Sequence, residues 1–360
     1  IEWAWEFVTR VLCLPERRLA VSVFEEDDEA YDVWKTRIGV AEERIVRLGR
    51  EDNFWGPVGK TGVCGPCSEI YFDTGAKRGC GKADCAPGCD CDRHLEFWNL
   101  VFPQFFLEED GRYRRIERPG IDTGAGLERI AVIMQGAEDN FHTDLFAPIV
   151  KAVCAILPAG TVRDGQDRLG VNMIADHVRA LVFTVSEGIY PSNEGRGYIL
   201  RRILRRALTR LHAFGVTQPV LHGIVDTVVR VMGDDYPELV ERGPDTALII
   251  RAEEESFFRT LAEGRERFRA MAEGIRRAGG DRFDGRQVFL LYDTFGFPLE
   301  LTRALAGEEG LAVDEAGFEE AMREQRLRAQ ERSAFDAKDQ SSVAMTTVGA
   351  GESSIFTGYE

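Results

Sequence analysis

Residues 121–130 of the sequence read IDTGAGLERI. Gly124 and Gly126 let the backbone approach a ligand in conformations that a β-carbon would forbid. The helix that begins after them presents unpaired N–H groups and the positive end of its dipole at the same place. Arg129 adds a guanidinium group that suits phosphate oxygens, and Asp122 suits a cation such as an ammonium group. On local sequence alone, a capped helix after a glycine turn, with Arg129 in a surface ion pair, is the simpler interpretation, because short glycine motifs have low specificity.

The composition of the whole chain indicates a globular protein of about two domains. The chain has 360 residues, of which 44% are hydrophobic and 29% charged, so it can bury a sizeable core. No apolar run approaches the roughly 18 residues that would span a bilayer, and we expect no membrane partner. The net charge of −16 argues against a general polyanion binder, but it leaves room for a nucleic acid held by a local basic patch.

The pattern of the chain changes at Pro158–Asp167, PAGTVRDGQD, which has the composition of a linker. Before it, short strands such as Leu19–Phe24 alternate with few helices, and this predicts a mixed, largely antiparallel sheet packed by helices. After it, almost every segment has helical periodicity, including a long helix over Asp245–Ala278. We therefore predict an α+β fold with three regions, namely 1–160, an all-α domain over 161–335, and 336–360 as a linker and the start of another domain.

The eight cysteines are unevenly placed, which indicates a reducing compartment such as the cytoplasm and not a disulfide framework. Cys64 and Cys67 form a C-x-x-C pair, for which a thiol–disulfide exchanger is one interpretation. Such pairs usually follow a strand and open a helix, whereas this pair precedes a strand expected at Glu69–Phe72. We therefore favour a tight loop beside a pocket and keep redox chemistry as the alternative.

Four more cysteines, Cys80, Cys85, Cys89 and Cys91, lie together in a short polar segment. Four thiolates this close can complete a tetrahedral zinc shell, which would leave no open position for chemistry. Their spacing differs from that of common zinc ribbons, and a flexible insertion of reduced thiols is the alternative. Because a polar loop containing Gly and Pro has no core in which to bury the thiols, we predict a structural zinc site.

A strongly basic segment, GRGYILRRILRRALTRL, lies at Gly195–Leu211. At about 100° per residue, its arginines fall on one half of the predicted helix and its large apolar residues on the other. The arginines on this half are Arg201, Arg202, Arg205, Arg206 and Arg210. An arginine face without acidic residues suits a phosphate backbone. The alternative is that these arginines pair with acidic helices elsewhere in the chain.

Taken in order, the segments of this chain resemble the alanyl-tRNA synthetases, a family of class II aminoacyl-tRNA synthetases. The resemblance rests on segments distributed over nearly the whole chain and arranged in the family's order. They are DNFWGPVGKTGVCGPCSEIYFD (52–73), LEFWNLVFPQFF (95–106), IDTGAGLERI (121–130), IADHVRALVFTVSEGIYPSNEGRGYILRRILRRA (174–207) and LYDTFGFPLELT (291–302). Several of these motifs have low specificity alone, but together they are highly specific.

The resemblance implies that residues 1–160 are the C-terminal part of a class II catalytic domain, with an antiparallel sheet flanked by helices. It implies that Arg129 binds the γ-phosphate of ATP and that Asp122 receives the alanine ammonium group. The further residues implied for the ATP and alanine site are Trp55, Glu69, Trp98, Asn99, Val101, Gly124 and Gly126. The implied reaction is attack of the alanine carboxylate on the α-phosphorus, with Mg²⁺ and arginine dispersing charge, and then transfer of alanine to tRNA(Ala).

For residues 161–335, the resemblance implies a helical tRNA-recognition domain that reads a G·U pair in the acceptor stem. Asn193 and Asp293 are the implied base readers, and the arginine face would lie along the RNA backbone. The minor groove of an A-form helix is wide and shallow, so an amide and a carboxylate can reach its base edges. From local sequence alone, both residues would be turn or capping residues, and their implied role comes from the resemblance.

The sequence departs from the family pattern at Lys60, where an acidic residue is usual, and at Ala125 in the third class II motif. The first two class II motifs, with the arginine that grips the α-phosphate, would precede Ile1, which is not a Met. An editing domain with its own zinc site would follow Glu360. We therefore expect the 360-residue stretch alone not to form alanyl-adenylate.

A catalytically inactive tRNA-binding paralogue is the alternative from another functional class. Such a protein would keep the arginine face and lose residues of the amino-acid pocket. Trp55, Asp122 and Arg129 are all present, and this favours the active enzyme.

Overall fold

A computed structural model describes residues 1–82, 84–295, 297, 299–325 and 327 of the chain, and these form two compact units. The first unit consists of Ile1–Ile156, Val162–Arg179 and Asp226–Glu241, and the second of Leu157–Thr161, Ala180–Val225 and the described chain from Arg242 onward. The first change of unit therefore lies near the predicted boundary at residue 160, but the chain returns twice to the first unit after it. The predicted third region, 336–360, lies outside the described residues.

The first unit is built on a mixed sheet. The strands among the described residues are β1 (Leu19–Phe24), β2 (Ile45–Leu48), β3 (Phe54–Trp55), β4 (Gly62–Asp73), β5 (His94–Val101), β6 (Phe105–Leu107), β7 (Tyr113–Arg115), β8 (Asp122–Ala125), β9 (Arg282–Phe283) and β10 (Ala312–Val313). The first eight form one sheet with the central order β2-β1-β4-β5-β8, in which β3 and β6 pair with β4, and β7 with β6. The β1–β2 pair is parallel and the others are antiparallel, so the predicted largely antiparallel sheet is confirmed.

Strand β4 is longer than the sequence predicted, because it begins inside the glycine-rich segment. A Cβ on Gly65 would lie 2.2 Å from the carbonyl oxygen of Phe102, so glycine is required where these two backbones meet. The hydrophobic segment Leu95–Phe106, whose sequence predicts one strand, is likewise divided: β5 ends before Pro103, and β6 turns to pair with the beginning of β4. In the first place the Gly and Pro residues lie within a strand and not in the loop that their composition predicted, and in the second Pro103 interrupts the strand that was predicted as continuous.

One face of the sheet is apolar and packs on the N-terminal helical segments. Cross-strand partners point to the same side, so Val21, Ile70 and Trp98 of β1, β4 and β5 share this face. The buried cluster comprises Ala4, Trp5, Val8, Leu14, Leu19, Val21, Val23, Ala30, Trp34, Val40, Ile45, Ile70, Phe72, Phe97 and Leu100. Ser22 and Glu69, which are also partners, point to the opposite face and make it polar.

The helices largely follow the periodicity of the sequence. Those with described bounds are α1 (Glu2–Glu6), α2 (Asp28–Asp32), α3 (Arg50–Asn53), α4 (Leu127–Gln135), α5 (Ala147–Ile156), α6 (Gly165–Ser186), α7 (Gly195–Ala213), α8 (Val225–Met232), α9 (Pro237–Arg277), α10 (Gly285–Phe295) and α11 (Leu299–Glu308). The long helix expected from Asp245 begins earlier, at Pro237, and continues through Pro244. Among the described helices, none has the length and apolar character needed to cross a membrane.

The second unit is mostly helical, but it is not the all-α domain that the sequence predicted. Strands β9 and β10 pair in parallel, with Ala312 opposite Arg282. Strands of two residues are too short to produce an alternating pattern, and helical periodicity dominates the sequence around them. The apolar side of α7 is buried in this unit, including Leu204 and Leu208.

A buried carboxylate on α9 ties this helix to the segment before α8. Oε1 of Glu254 accepts hydrogen bonds from the backbone N–H groups of Val220 at 2.9 Å and Leu221 at 2.8 Å. Oε2 accepts from the backbone N–H of His222 at 2.9 Å and lies 2.8 Å from the Nδ1 atom of the same residue. Residues Leu221–Ile224 form a 3₁₀ turn that leads into α8, so Glu254 pairs the N–H groups that a helix start leaves unpaired.

Candidate active site

The polar face of the sheet brings several predicted site residues together at the β5–β8 pair. Val101 is the partner of Asp122, and Asn99 is the partner of Gly124. Glu69 of β4 is the partner of Asn99 on its other side. Since residues two apart on a strand share a face, all five of these residues lie on the same side of the sheet.

Trp98 and Trp55 differ in their placement relative to this face. Trp98 precedes Asn99 and therefore points to the apolar side, where its ring makes an edge contact with Phe7 at 5.6 Å between centroids. The structure does not bring Trp98 to the polar face, because a predicted strand shows which residues alternate but not which set meets the ligand. Trp55 is the partner of Gly65, which lies on the same side of β4 as Glu69, and its half-exposed side chain stays with the polar face.

Glu69 is held by three hydrogen bonds and in turn orients Asn99. Its Oε1 accepts from Nδ2 of Asn99 at 3.1 Å, and its Oε2 accepts from Oγ of Ser22 at 3.2 Å and from the hydroxyl of Tyr71. Burial raises the pKa of Glu69 above its ordinary value. The carboxyl group is thus held in place on the polar face. It would influence a ligand indirectly, by orienting the Asn99 side chain.

Asp122 and Gly124 provide an exposed carboxylate beside open space. Oδ1 of Asp122 accepts from the backbone N–H of Thr123 at 2.8 Å, while its Oδ2 accepts no hydrogen bond from a described residue. A Cβ placed on Gly124 would have no atom within 4 Å. Neither Gly124 nor Gly126 has a positive φ, so the expected backbone freedom is not what these glycines supply. Gly124 instead leaves space where a ligand can approach, and Gly126 leaves space for the side chain of Arg129.

Arg129 lies in the first turn of α4 and is half-exposed. Its Nη1 donates to the carbonyl oxygen of Glu96 at 2.7 Å and to Oε2 of the same residue at 2.8 Å. Its aliphatic part crosses Gly126, where a Cβ would lie 3.2 Å from Cδ of Arg129. The ion pair that the simpler interpretation of the motif predicted is therefore present. This ion pair holds the guanidinium group at the edge of the polar face, where a phosphate can compete with Glu96 for Arg129.

The helix that carries Arg129 is anchored through the preceding residue. Oε1 of Glu128 accepts from Nη2 of Arg179 at 2.6 Å, and the guanidinium group of Arg179 lies 4.0 Å from the ring centre of Phe146. Sequence reasoning singled out neither Arg179 nor Glu96. Each acts through a partner distant in the chain, and the local sequence carries no signal of that partner.

The donors present fit ATP, alanine and a magnesium ion. Arg129 and the N–H groups at the start of α4 suit phosphate oxygens, and Asp122 suits an ammonium group. Gly124 leaves room above the strand for a ligand that lies flat on it. Glu96 is the carboxylate at hand for Mg²⁺, which binds proteins through one or two carboxylates and keeps phosphate oxygens as its other ligands.

Cys64 and Cys67 do not have the geometry of a redox pair. They lie three residues apart on β4, so their side chains point to opposite faces of the sheet. Both are free and buried, and burial raises the pKa of both thiols, that of Cys67 to about 11. A buried thiol that stays protonated at neutral pH is unreactive, and this disfavours the exchange reaction.

The second cysteine group is gathered into one cluster. The sulfur atoms of Cys80, Cys85, Cys89 and Cys91 all lie within 4.8 Å of one another, with 3.7 Å between Cys80 and Cys89 and 3.4 Å between Cys85 and Cys91. Zinc–sulfur bonds of about 2.3 Å in a tetrahedron would separate the sulfurs by about 3.8 Å, so the four thiols fit the ion. A hydrogen bond from the backbone of Arg93 is the main cause that lowers the pKa of Cys91 to about 7.

We expect the protein purified under reducing conditions to carry about one zinc ion per chain at this cluster. Cys85→Ser should release most of it, because replacing one of four thiolates opens the shell. The measurement is elemental analysis of the dialysed protein, and Cys13→Ser is the matched control, since Cys13 is an exposed thiol outside the cluster. A parent protein without bound metal would remove the zinc interpretation.

The arginines of α7 divide into two groups. Arg201 and Arg205 contact Glu253 of α9, with their Nε atoms 2.6 and 3.4 Å from its Oε1. Arg202 and Arg206 are exposed and form no ion pair with any described residue. The guanidinium group of Arg210 lies 4.5 Å from the ring centre of Phe214. The predicted exposed arginine face therefore describes Arg202 and Arg206. The alternative, pairing with an acidic helix, describes Arg201 and Arg205.

Asn193 is held at the start of α7. A Cβ on Gly197 would lie 2.2 Å from Oγ of Ser192, so the loop before the helix folds closely onto its first turn. Nη1 of Arg201 donates to Oδ1 of Asn193. The carboxamide is therefore anchored through its oxygen, and its Nδ2 donates to no described residue.

Asp293 lies near the end of α10, and its Oδ1 accepts from Nε2 of Gln325.

The charges that act on Arg205 come from both α7 and α10. Burial is the largest cause that lowers the pKa of Arg205, the charge of Arg201 lowers it further, and Glu253 and Tyr292 act in the opposite direction. Tyr292 precedes Asp293, so this segment lies near the arginine helix. Asn193 contacts Arg201, and the segment that bears Asp293 lies near Arg205.

Comparison with known proteins identifies the family of the chain. A family model described as "tRNA synthetases class II (A)" matches residues 1–360. An alanine–tRNA ligase of Pelotomaculum thermopropionicum is 49% identical over 364 residues, covering 100% of this chain and 41% of that protein. An enzyme of the same name from Caldicellulosiruptor saccharolyticus is 48% identical over 329 residues, with 91% of this chain and 37% of that protein covered. A third, from Clostridioides difficile, is 44% identical over 360 residues, covering 100% of this chain and 41% of that protein.

The chain thus spans about two fifths of the length of the curated relatives it matches. The alignment with the first of these relatives extends over the whole chain, and so does the family model. The chain therefore belongs to the class II tRNA synthetases.

Proposed function

We propose that this chain is the part of an alanine–tRNA ligase that activates alanine with ATP, transfers it to the 3′ end of tRNA(Ala) and recognises the acceptor stem. The observation that carries this proposal is the shared face of Asn99, Asp122 and Gly124, with Arg129 at its edge. One carboxylate for an ammonium group and one guanidinium for a phosphate are two of the groups that adenylate formation from an amino acid uses.

In the proposed reaction, Asp122 binds the alanine ammonium group and leaves the alanine carboxylate directed at the α-phosphorus of ATP. A carboxylate oxygen forms a bond to phosphorus while the bond to the pyrophosphate oxygen breaks. Arg129 leaves Glu96 for the γ-phosphate and stabilises the negative charge on the departing pyrophosphate. Mg²⁺, when bound, neutralises phosphate charge in the same region. A terminal ribose hydroxyl of the tRNA then attacks the carbonyl carbon of alanyl-adenylate and releases AMP.

The second unit would bind the acceptor stem of tRNA(Ala). Arg202 and Arg206 are exposed, as phosphate contacts have to be, and Asn193 and Asp293 offer a donor and an acceptor to base edges. A G·U pair, unlike a G·C pair, leaves the guanine amino group in the minor groove without a partner on the opposite base, so a carboxylate such as that of Asp293 can accept from it. Since its substrates are those of translation, the enzyme would act in the cytoplasm.

The test is alanine-dependent exchange of pyrophosphate into ATP by the full-length protein that contains this chain. We expect exchange with alanine and much weaker exchange with glycine, which lacks the methyl group, and then alanylation of an acceptor-stem hairpin that carries a G·U pair. A protein that binds the hairpin but supports no exchange would contradict this function and favour the inactive tRNA-binding paralogue.

A further inference from the structure

Glu253 of α9 contacts Arg201 and Arg205, one of the two groups of arginines on α7. Its side chain is 14% exposed, and its Oε1 accepts from the Nε atoms of both Arg201 and Arg205. A single carboxylate that binds two arginines in this way fixes the direction in which each guanidinium group points. It also offsets part of their charge, whereas Arg202 and Arg206 are exposed, as is Arg196 at the start of the helix.

The contact continues from Arg201 to Asn193. A guanidinium group can only donate hydrogen bonds, so the Asn193 atom that meets it has to be the carboxamide oxygen. The amide nitrogen of Asn193 then points away from Arg201 as a donor. Without Glu253, the Arg201 side chain would lose its second anchor, and both orientations of the Asn193 carboxamide would become accessible.

We propose that Glu253 is a positioning residue for RNA recognition: it holds Arg201 so that Asn193 presents a hydrogen-bond donor, and it keeps Arg201 and Arg205 from binding phosphate. This proposal rests on the proposed function of the second unit. It assigns different tasks to the arginines of one helix. Arg201 and Arg205 orient the reader of the base edge, and Arg202 and Arg206 bind the RNA backbone.

Two effects with opposite sign follow for Glu253→Ala. Two guanidinium groups become available to phosphates, so affinity for any RNA duplex should rise. The slope of log affinity against log salt concentration should steepen by the equivalent of about one to two phosphate contacts. At the same time the Asn193 carboxamide is released, so the preference for a G·U hairpin over a G·C hairpin should fall about tenfold. A substitution that merely weakened the fold would lower affinity for both hairpins.

The experiment measures binding of both hairpins by the full-length protein over a range of salt concentrations. Glu253→Gln keeps an oxygen that can accept from Arg201 but loses the charge, so it should steepen the salt dependence and retain most of the preference. Glu255→Ala is the matched control, because Glu255 lies on the same helix and pairs with Arg251. It should change neither the preference nor the salt dependence.

The outcomes separate this proposal from the proposed function. If the parent protein prefers the G·U hairpin and Glu253→Ala keeps that preference, Glu253 is not a positioning residue. Weaker binding of both hairpins by Glu253→Ala also overturns the proposal. If the parent shows no preference between the hairpins, acceptor-stem recognition itself is contradicted, and the role of Glu253 is contradicted with it.

Discussion

Replacing Arg129 by alanine is expected to lower kcat/KM for alanine-dependent pyrophosphate exchange by about 10²- to 10³-fold. Arg129 lies at the edge of the face that carries Asp122, and in the reaction proposed for the full-length protein it stabilises charge that grows as pyrophosphate leaves. An interaction made mainly in the transition state reduces kcat when it is removed, so most of the loss should appear in kcat. The measurement is steady-state exchange at varied ATP and alanine concentrations.

Two further variants define what Arg129 contributes. Arg129→Lys keeps the positive charge but loses the planar fork that binds two phosphate oxygens, so it should recover only part of the activity. Arg114→Ala is the matched control, because Arg114 lies on β7 of the same sheet in an exposed ion pair with Glu108. If Arg129→Ala stayed within about threefold of the parent, a place for Arg129 in the reaction would be untenable.

Replacing Glu254 by alanine is expected to reduce the free energy of unfolding of the second unit by about 3 kcal/mol or more. The carboxylate is fully buried, and it accepts from three consecutive backbone N–H groups and contacts the ring of His222. Its removal leaves those buried donors without an acceptor and opens a cavity at the start of the turn that leads into α8. Urea unfolding followed by circular dichroism gives the change in stability.

Amide hydrogen exchange identifies the site of the loss. The N–H groups of Val220, Leu221 and His222 should lose protection in Glu254→Ala before the rest of the unit does. Glu255→Ala, whose side chain is exposed on the same helix, should leave both stability and protection unchanged. An unaltered unfolding midpoint in Glu254→Ala would show that water replaces the carboxylate at no cost.

Much of the fold follows from the period of the apolar residues. The alternation in Leu19–Phe24 and the helical spacing in α6 and α7 are properties of single segments, and the segments adopted those structures. The predictions failed where a distant backbone decides the local structure. The beginning of β4 is a strand because β3 and β6 pair with it, although its glycines and prolines predicted a loop.

The site could be predicted in part for the same reason. Asp122 and Arg129 stand in one motif, and the other segments in the family's order made that motif specific. Glu96 and Glu253 are missed by a sequence pattern because each is defined by an arginine that lies far away in the chain. The placement of Trp98 required knowing which side of β5 is covered by the core, and alternation alone gives two equal choices.

The cysteine cluster lies within the connection between β4 and β5, and it bears on how these strands stay aligned. Asp73 and His94 are partners at the mouth of this connection, where both carboxylate oxygens of Asp73 accept from Arg93 at 3.0 Å. A slip by one residue between the two strands would turn Asn99 away from Glu69 and reverse the faces of the sheet. A cross-link among the four sulfurs shortens the effective loop and lowers the entropy lost on closing it. The cluster would then stabilise the register of β4 and β5. It would do so from the end of β5 at His94, opposite to the end where Val101 pairs with Asp122.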